Sequence, residues 1–269
     1  MRSTVPVVAV LLLIAPLSHG VAQDRKPWLT PGTQAGQEIC GPDGGKMVWV
    51  PAGEFMMGSN DGREDERPVH SVRLTRGFWL GKCEVTVQQW LHYCKVAKVV
   101  LGTEIITPLD HPMSGVSWHD VTAYCRFYGM ALPTEAQWEW AARGPEERKY
   151  PWGNQWNARL CNNRDNPYVD GDMGMAFTAP VGHYPGGASW CGALDMAGNL
   201  AEWVADWYSK TYYAISPGVD PQGPATGTEK VWRGGYCWGD ANQCRSASRF
   251  ASEPDNDGGS GCLRACYVP

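Results

Sequence analysis

Short apolar runs separated by turn residues predict strands early in the chain. Residues 47–59 are largely apolar on both sides of a Pro-Ala-Gly turn at 51–53, and residues 70–74 form a further short run. A proline followed by a residue that can adopt positive φ is typical of a tight turn between strands. The polar run 60–68 predicts a solvated loop. We therefore expect two strands around the turn and a third strand after the loop.

Three later segments carry the signature of a helix start. Thr86, Ser117 and Thr134 each precede, by three positions, a side chain that can accept a hydrogen bond from the backbone. This is the spacing of a capping box, so each predicts the start of a short helix. Apolar residues then recur at helical spacing and predict one buried face per helix. The stripes are Val121, Cys125 and Tyr128, ending at Gly129, in the second helix and Trp138, Ala141 and Ala142 in the third.

Composition narrows the class of protein. The 269 residues contain 32 Gly, 20 Pro and 14 Trp and only 19% charged residues, which predicts many turns and large aromatic anchors rather than a helical bundle. We favour one large domain over two small ones. A formal net charge of -5 without a basic patch argues against a nucleic-acid partner.

The N-terminus predicts export. Residues 1–22 contain one arginine, an apolar run at 5–17, and Gly20 and Ala22 at the -3 and -1 positions of a cleavage site. The apolar run is shorter than the roughly 20 residues that span a bilayer, which favours a cleaved signal peptide over a membrane anchor. Residues 23–45 are polar and predict a linker, and residues 46–267 predict the folded domain. We expect a secreted or periplasmic protein with no other membrane association.

All ten cysteines lie beyond the predicted cleavage site, an even number in an exported chain. An oxidising compartment favours disulfides for most of them, but spacing alone does not determine the pairing. Cys237 and Cys244 follow the glycine pair Gly234-Gly235, where the backbone can pass close to another group. Two such thiols can form a disulfide or hold a soft metal such as Cu(I). Their spacing by itself favours the disulfide.

Two stretches are rich in side-chain oxygens. Six Asn and Asp residues crowd 162–172, and Asp195 and Glu202 flank the turn Gly198-Asn199. Ca²⁺ takes about six to eight oxygen ligands in flexible geometry, so either stretch could bind it. The alternatives are an Asx-rich loop that bonds its own backbone, for the first, and a tight turn without metal, for the second.

Several blocks in order resemble the formylglycine-generating enzyme (sulfatase-modifying factor) family. The resemblance spans about residues 47–266. It implies one compact α+β domain with little regular secondary structure, distantly similar to C-type lectins. The most specific blocks are M-V-W-V-P-A-G-E-F-M-M-G-S (47–59), H-P-M-S-G-V-S-W-H-D-V-T-A-Y-C (111–125), L-P-T-E-A-Q-W-E-W-A-A-R-G (132–144), D-M-A-G-N-L-A-E-W (195–203) and V-W-R-G-G-Y (231–236).

The resemblance also implies an activity. Catalytic members of the family oxidise a cysteine in a sulfatase C-x-P-x-R motif to formylglycine, using O₂ and a Cu(I) held by two thiols. Cys244 stands nine residues after Gly235, as the second family thiol does, and Cys237 stands two after it, where the family has four. The resemblance thus implies Cys237 and Cys244 as catalytic residues and copper ligands, acting on a polypeptide such as a sulfatase.

The family resemblance also implies calcium ligands and one disulfide. The first calcium site would use the Asp195 and Glu202 side chains with the Gly198 and Leu200 carbonyls. The second would fall on Asn162, Asn163 and Asp172. A Cys125–Cys266 disulfide is the pairing that the resemblance favours.

Two other functions remain open. The scaffold could be a non-catalytic, lectin-like binding module, or it could oxidise a different exported substrate. In a binding module the C-terminal loop would present aromatic and polar side chains to a glycan or protein. These side chains are Tyr236, Trp238, Asp240, Asn242 and Arg245.

Overall fold

Short strands and three helices build the domain in a computed structural model that describes residues 26–100, 105, 107–168, 178–259 and 261–269. The helices are α1 (Val87–Ala97), α2 (Trp118–Phe127) and α3 (Glu135–Arg143). The strands are β1 (Glu38–Cys40), β2 (Lys46–Val50), β3 (Gly53–Met57), β4 (His70–Leu74), β5 (Phe78–Gly81), β6 (Ala201–Trp207), β7 (Lys230–Arg233), β8 (Arg249–Ser252), β9 (Gly261–Leu263) and β10 (Cys266–Tyr267).

The strands form three sheets among the described residues. One has the order β1-β2-β5-β10 and is antiparallel throughout, so the two ends of the domain meet in it. β3 and β4 form a separate hairpin-like pair. The third sheet has the order β8-β7-β6-β9, with β9 parallel to β6. This mixed α+β architecture with little regular structure confirms the predicted fold class.

The predicted local elements are present. β2 and β3 lie on either side of the turn at 51–53, and β4 follows the loop. The side chains of Thr86, Ser117 and Thr134 accept hydrogen bonds from the backbone three residues on, so each capping box is formed. Among the helices of the described chain, none combines the length and apolar character that crossing a bilayer requires.

Two expectations need correction. β1 pairs with β2, so the fold begins inside the segment predicted as a linker. The loop 60–68 is not fully solvated, because Asp65 and Glu66 are 2% and 0% exposed. Both carboxylates meet groups from distant parts of the chain. Tyr208 donates a hydrogen bond to Asp65 at 2.8 Å, and Arg245 forms an ion pair with Glu66 at 2.6 Å.

Among the described residues, two large apolar clusters fill most of the interior, and a buried ionic network surrounds α3. One cluster lies between the sheets and α3, and the other contains α1, α2 and many aromatic side chains. Helix α3 also buries Glu135 and Glu139, which pair with Arg249 and Arg233. Arg249 Nε and Glu135 Oε1 lie 2.6 Å apart. The network joins α3 to β7 and β8, the strands that bound the thiol-bearing loop.

Candidate functional site

The thiol loop, residues 234–245, leaves β7 through two glycines in the left-handed region. Gly234 has φ 93° and Gly235 has φ 76°. A Cβ on Gly235 would lie 2.8 Å from the Gln243 carbonyl oxygen and 3.3 Å from Cys244 Cα. Only glycine allows this contact, since a side chain would clash with the backbone. Gly235 therefore approaches the far end of the same loop, whereas Gly234 faces the Trp138 indole.

Both predicted catalytic thiols are buried. Cys237 is 2% exposed, and burial raises its pKa to about 11. Cys244 is fully buried, and a hydrogen bond with the Cys161 thiol, together with burial, raises its pKa well above the ordinary value. The thiolate is the form that attacks and that binds metals, so these pKa shifts oppose both roles near neutral pH.

Sequence reasoning missed Cys161 as the neighbour of Cys244. The two cysteines are 83 positions apart, and no local motif connects them. They share a small buried cluster with Ala197, and Trp152 and Trp156 pack against it.

The outer surface of the thiol loop joins a second loop, 161–168. The Arg164 backbone N–H donates to the Gly239 carbonyl at 3.1 Å, and the Arg164 guanidinium lies 3.8 Å from the Asp240 carboxylate. The side chains of Arg164 and Asp165 are 60% and 52% exposed, and Trp238 is 48% exposed. We call the surface formed by Arg164, Asp165, Trp238 and Asp240 the loop face.

The other residues predicted to present a binding surface are less available. The Tyr236 hydroxyl is half-buried and accepts a hydrogen bond from Gln243 at 2.8 Å. Asn242 is exposed, and its backbone N–H donates to Asp240 Oδ1 in an Asx turn. The prediction that Arg245 is presented to a partner is wrong, because Arg245 is 5% exposed. Its guanidinium donates two hydrogen bonds to Glu66, of 2.6 and 2.7 Å.

The first predicted calcium site meets an arginine. Arg264 contacts both Glu202 oxygens, at 2.6 Å from Oε1 and 2.9 Å from Oε2, and the Trp138 indole donates to Oε2 at 2.7 Å. A guanidinium already supplies the positive charge that Glu202 requires. Glu202 as folded therefore does not fit a calcium ion. Gly198 has φ 76°, and a Cβ at this position would collide with the Asn162 carbonyl oxygen.

Asp195, at the other end of the first predicted calcium site, has different contacts from Glu202. Asp195 Oδ2 accepts a hydrogen bond from the Gly182 N–H at 2.6 Å, and its carboxyl lies beside that of Glu84. Glu84 Oε1 accepts a hydrogen bond from Asn199 at 3.0 Å, and the Glu84 side chain is also hydrogen-bonded to Asp195. Burial raises the pKa of both carboxyls, and the Asp195 charge raises that of Glu84 further, whereas the hydrogen bond with Glu84 lowers the pKa of Asp195. Two carboxyls in contact share a proton or lie beside a cation, and the Arg264 charge lowers the pKa of both. Among the described residues no group of three or more metal-binding side chains surrounds them, so calcium binding here stays a prediction.

The second predicted calcium site can be followed only in part. Asn162 Oδ1 accepts a hydrogen bond from the Tyr168 N–H at 2.9 Å, and Asn163 Oδ1 accepts one from the Asp165 N–H at 2.9 Å. Both contacts are typical of an Asx-rich loop. Asp172 lies outside the described residues, so a calcium site here stays a prediction.

The predicted Cys125–Cys266 disulfide also stays a prediction. All ten cysteines are free thiols in the structure. Cys125 and Cys266 are buried close enough for a charge on Cys266 to raise the pKa of Cys125, after the larger effect of burial.

Comparisons with known proteins agree with the residue blocks. The sequence profile described as "Sulfatase-modifying factor enzyme 1-like domain" matches residues 37–265. The formylglycine-generating enzyme of Streptomyces coelicolor is 33% identical over 92% of this chain and 94% of its own length. That of Thermomonospora curvata is 32% identical over 78% of this chain and 89% of its own length.

Solved structures show the same fold. PvdO from Pseudomonas aeruginosa superimposes with a TM-score of 0.76 at 24% identity, covering 88% of this chain and all of that one. Treponema denticola variable protein 1 gives a TM-score of 0.68 at 23% identity, covering 83% and 95%. With the profile match over most of the domain and full-length relatives above 30% identity, the chain belongs to the formylglycine-generating enzyme (sulfatase-modifying factor) family.

Proposed function

We propose that this chain is an exported family member that binds the C-x-P-x-R segment of a sulfatase at the loop face and leaves its cysteine unoxidised. Export rests on residues 1–22, with a secreted or periplasmic destination. The observation that carries the proposal is the burial of both loop thiols, with Cys244 hydrogen-bonded to Cys161. A cysteine of a bound polypeptide would meet the loop's exposed side chains rather than these sulfurs.

The chemistry of the loop face suits such a segment. The Asp165 and Asp240 carboxylates each lie 3.8 Å from Arg164, and both are exposed enough for the arginine of the peptide to join this pair of ionic contacts in charge-assisted hydrogen bonds. The Trp238 indole offers a flat apolar surface for the proline. A sulfatase polypeptide as the partner is supported by the family to which the chain belongs.

Oxidation of the partner's cysteine with O₂ is the second candidate function. It is favoured by the full-length enzyme relatives and by the position of Cys244 after the glycine pair. Copper would supply the O₂ chemistry, and Cys237 and Cys244 would have to hold it as thiolates. As folded, the two do not fit a Cu(I) ion, because both sulfurs are buried as thiols with raised pKa. No oxidation step is derived through the metal.

Calcium binding is proposed at the Asp195 end of the first site. Asp195 and Glu84 would hold the ion, and its charge would allow both buried carboxyls to ionise. Its role would be structural, since the Asp195–Gly182 contact fixes the chain around the turn that carries Gly198 and Asn199.

A fluorescent C-x-P-x-R peptide tests binding by anisotropy. We expect saturable binding that Trp238→Ala weakens by about tenfold, the loss of one buried aromatic contact. Phe127→Ala is the matched control, because Phe127 is 45% exposed on the distant helix α2. Equal affinity in the wild type and Trp238→Ala would contradict the loop face as the site.

A further inference from the structure

Cys161 and Cys244 form a thiol pair of their own. They lie in a small apolar cluster that is separate from the two large cores, and their thiols are hydrogen-bonded. Cys161 is 2% exposed and Cys244 is 0% exposed. Neither of the clefts at 43–47 with 81–86 and at Arg143 with Arg245 is lined by either cysteine.

The surrounding backbone holds the two sulfurs together. The Gly198 N–H donates to the Gly234 carbonyl at 2.8 Å, and the Asn199 N–H donates to the Asn162 carbonyl at 2.9 Å. A Cβ on Gly198 would lie only 3.4 Å from Cys161 Cβ. Three segments are therefore bonded to one another around the pair, and a disulfide requires this kind of fixed proximity.

We propose that Cys161 and Cys244 are joined by a disulfide in the exported protein. The bond would connect loop 161–168 to the thiol loop beneath the loop face. It would also occupy Cys244, so that this sulfur cannot bind copper. The inference goes beyond the proposed function and does not depend on what the loop face binds.

The bond needs an oxidant from outside the chain, which we take to be a donor disulfide such as oxidised glutathione. One cysteine thiolate attacks the donor disulfide, forms a mixed disulfide and releases one donor thiol. The second thiolate then attacks the mixed disulfide and releases the other donor thiol. Two protons and two electrons thereby pass from the cysteine pair to the donor. Since both sulfurs are buried in the folded protein, exchange must occur before the loops close.

Peptide mapping tests the pairing directly on the full-length exported protein. Free thiols are alkylated in denaturant without reductant, and the protein is cut with trypsin and with a protease specific for the N-terminal side of Asp. Cleavage before Asp240 is essential, because it separates Cys237 from Cys244. We expect residues 160–164 linked to residues 240–245, and separation of the two peptides after reduction.

Single variants provide the controls. Cys161→Ser should make Cys244 available to alkylation in the denatured, unreduced protein, raising the count of free thiols by one. Cys237→Ser should leave the linked peptide unchanged. Alkylation of Cys161 or Cys244 before reduction, or a link from either to another cysteine, overturns the proposal. The peptide map of the wild type decides whether the disulfide is present even where a variant fails to fold. Peptide binding at the loop face is measured in a separate experiment.

Discussion

At the scale of single residues, burial separates groups that can bind a partner from groups that hold the fold. Trp238 and Arg245 lie seven positions apart in one loop. Trp238 is half exposed, whereas Arg245 is an internal cation whose two hydrogen bonds go to the buried carboxylate of Glu66. The same polar loop therefore contains an exposed residue, which we propose as a binding residue, and a structural one.

Arg245→Ala should destabilise the fold strongly. Removing the guanidinium leaves the Glu66 charge buried without its partner, which costs about 3–5 kcal/mol. Trp238→Ala should change the free energy of unfolding by less than about 1 kcal/mol, because much of the indole already contacts solvent. Urea denaturation of the two variants measures both values. Similar losses in the two would contradict this division of roles.

Gly235→Ala tests the close approach within the thiol loop. Any alanine at positive φ is strained by about 1–2 kcal/mol, and here its Cβ would also collide with the Gln243 carbonyl. Gly192→Ala is the matched control, because Gly192 has φ 77° and no atom within 4 Å of the added Cβ. We expect Gly235→Ala to be the more destabilising by about 1–3 kcal/mol in urea unfolding. Equal losses would show that the loop can open at no cost.

At the scale of elements, helix α3 organises the interior through charge as well as through its apolar face. A side chain from another element stabilises its first turn: Asp206 on β6 accepts a hydrogen bond from the Glu135 N–H at 2.7 Å. Burial, and then the Glu135 carboxylate, raise the pKa of Asp206 to about 7. The contact between α3 and β6 therefore depends on pH.

Asp206→Asn should remove part of the pH dependence of stability. In the wild type the folded state keeps the Asp206 proton up to about pH 7, whereas the unfolded state loses it near the ordinary aspartate pKa of 3.8. This contribution is complete below the unfolded pKa and is lost as pH rises through about 7, by up to about 4 kcal/mol. Asparagine cannot ionise but can still accept the Glu135 hydrogen bond. Parallel unfolding free energies for the two proteins from pH 4 to 8 would contradict the assignment.

At the scale of the whole molecule, ion binding would connect distant segments. Glu84 precedes α1, and Asp195 precedes β6. Chelation with EDTA should lower the melting temperature by several degrees, and Ca²⁺ should restore it, because a ligand bound only to the folded state stabilises it. Asp195→Asn should weaken the response to Ca²⁺, because it keeps an oxygen ligand but removes one ligand charge. A melting curve that EDTA leaves unchanged would remove the calcium proposal.

The sequence predicts those structural features that depend on residues close together in the chain. The three helix starts, the turn at 51–53 and the apolar stripe of α3 are local patterns, and all are present. The burial of Asp65 and Glu66 was not predictable, because their partners Tyr208 and Arg245 lie far along the chain. Cys161 and Cys244 are likewise far apart in the chain, so no motif spacing could identify them as neighbours. The residue blocks shared with the family predicted the overall fold, but they could not show which thiol lies next to Cys244.

The central claim is that this family member binds a sulfatase segment without changing it. The most direct measurement incubates the purified protein with the C-x-P-x-R peptide, Cu(I) and O₂, and records both binding by anisotropy and peptide mass. We expect binding that depends on Trp238 and a peptide of unchanged mass. Conversion of the peptide cysteine to formylglycine by the wild type, lost in Cys244→Ser, would contradict it.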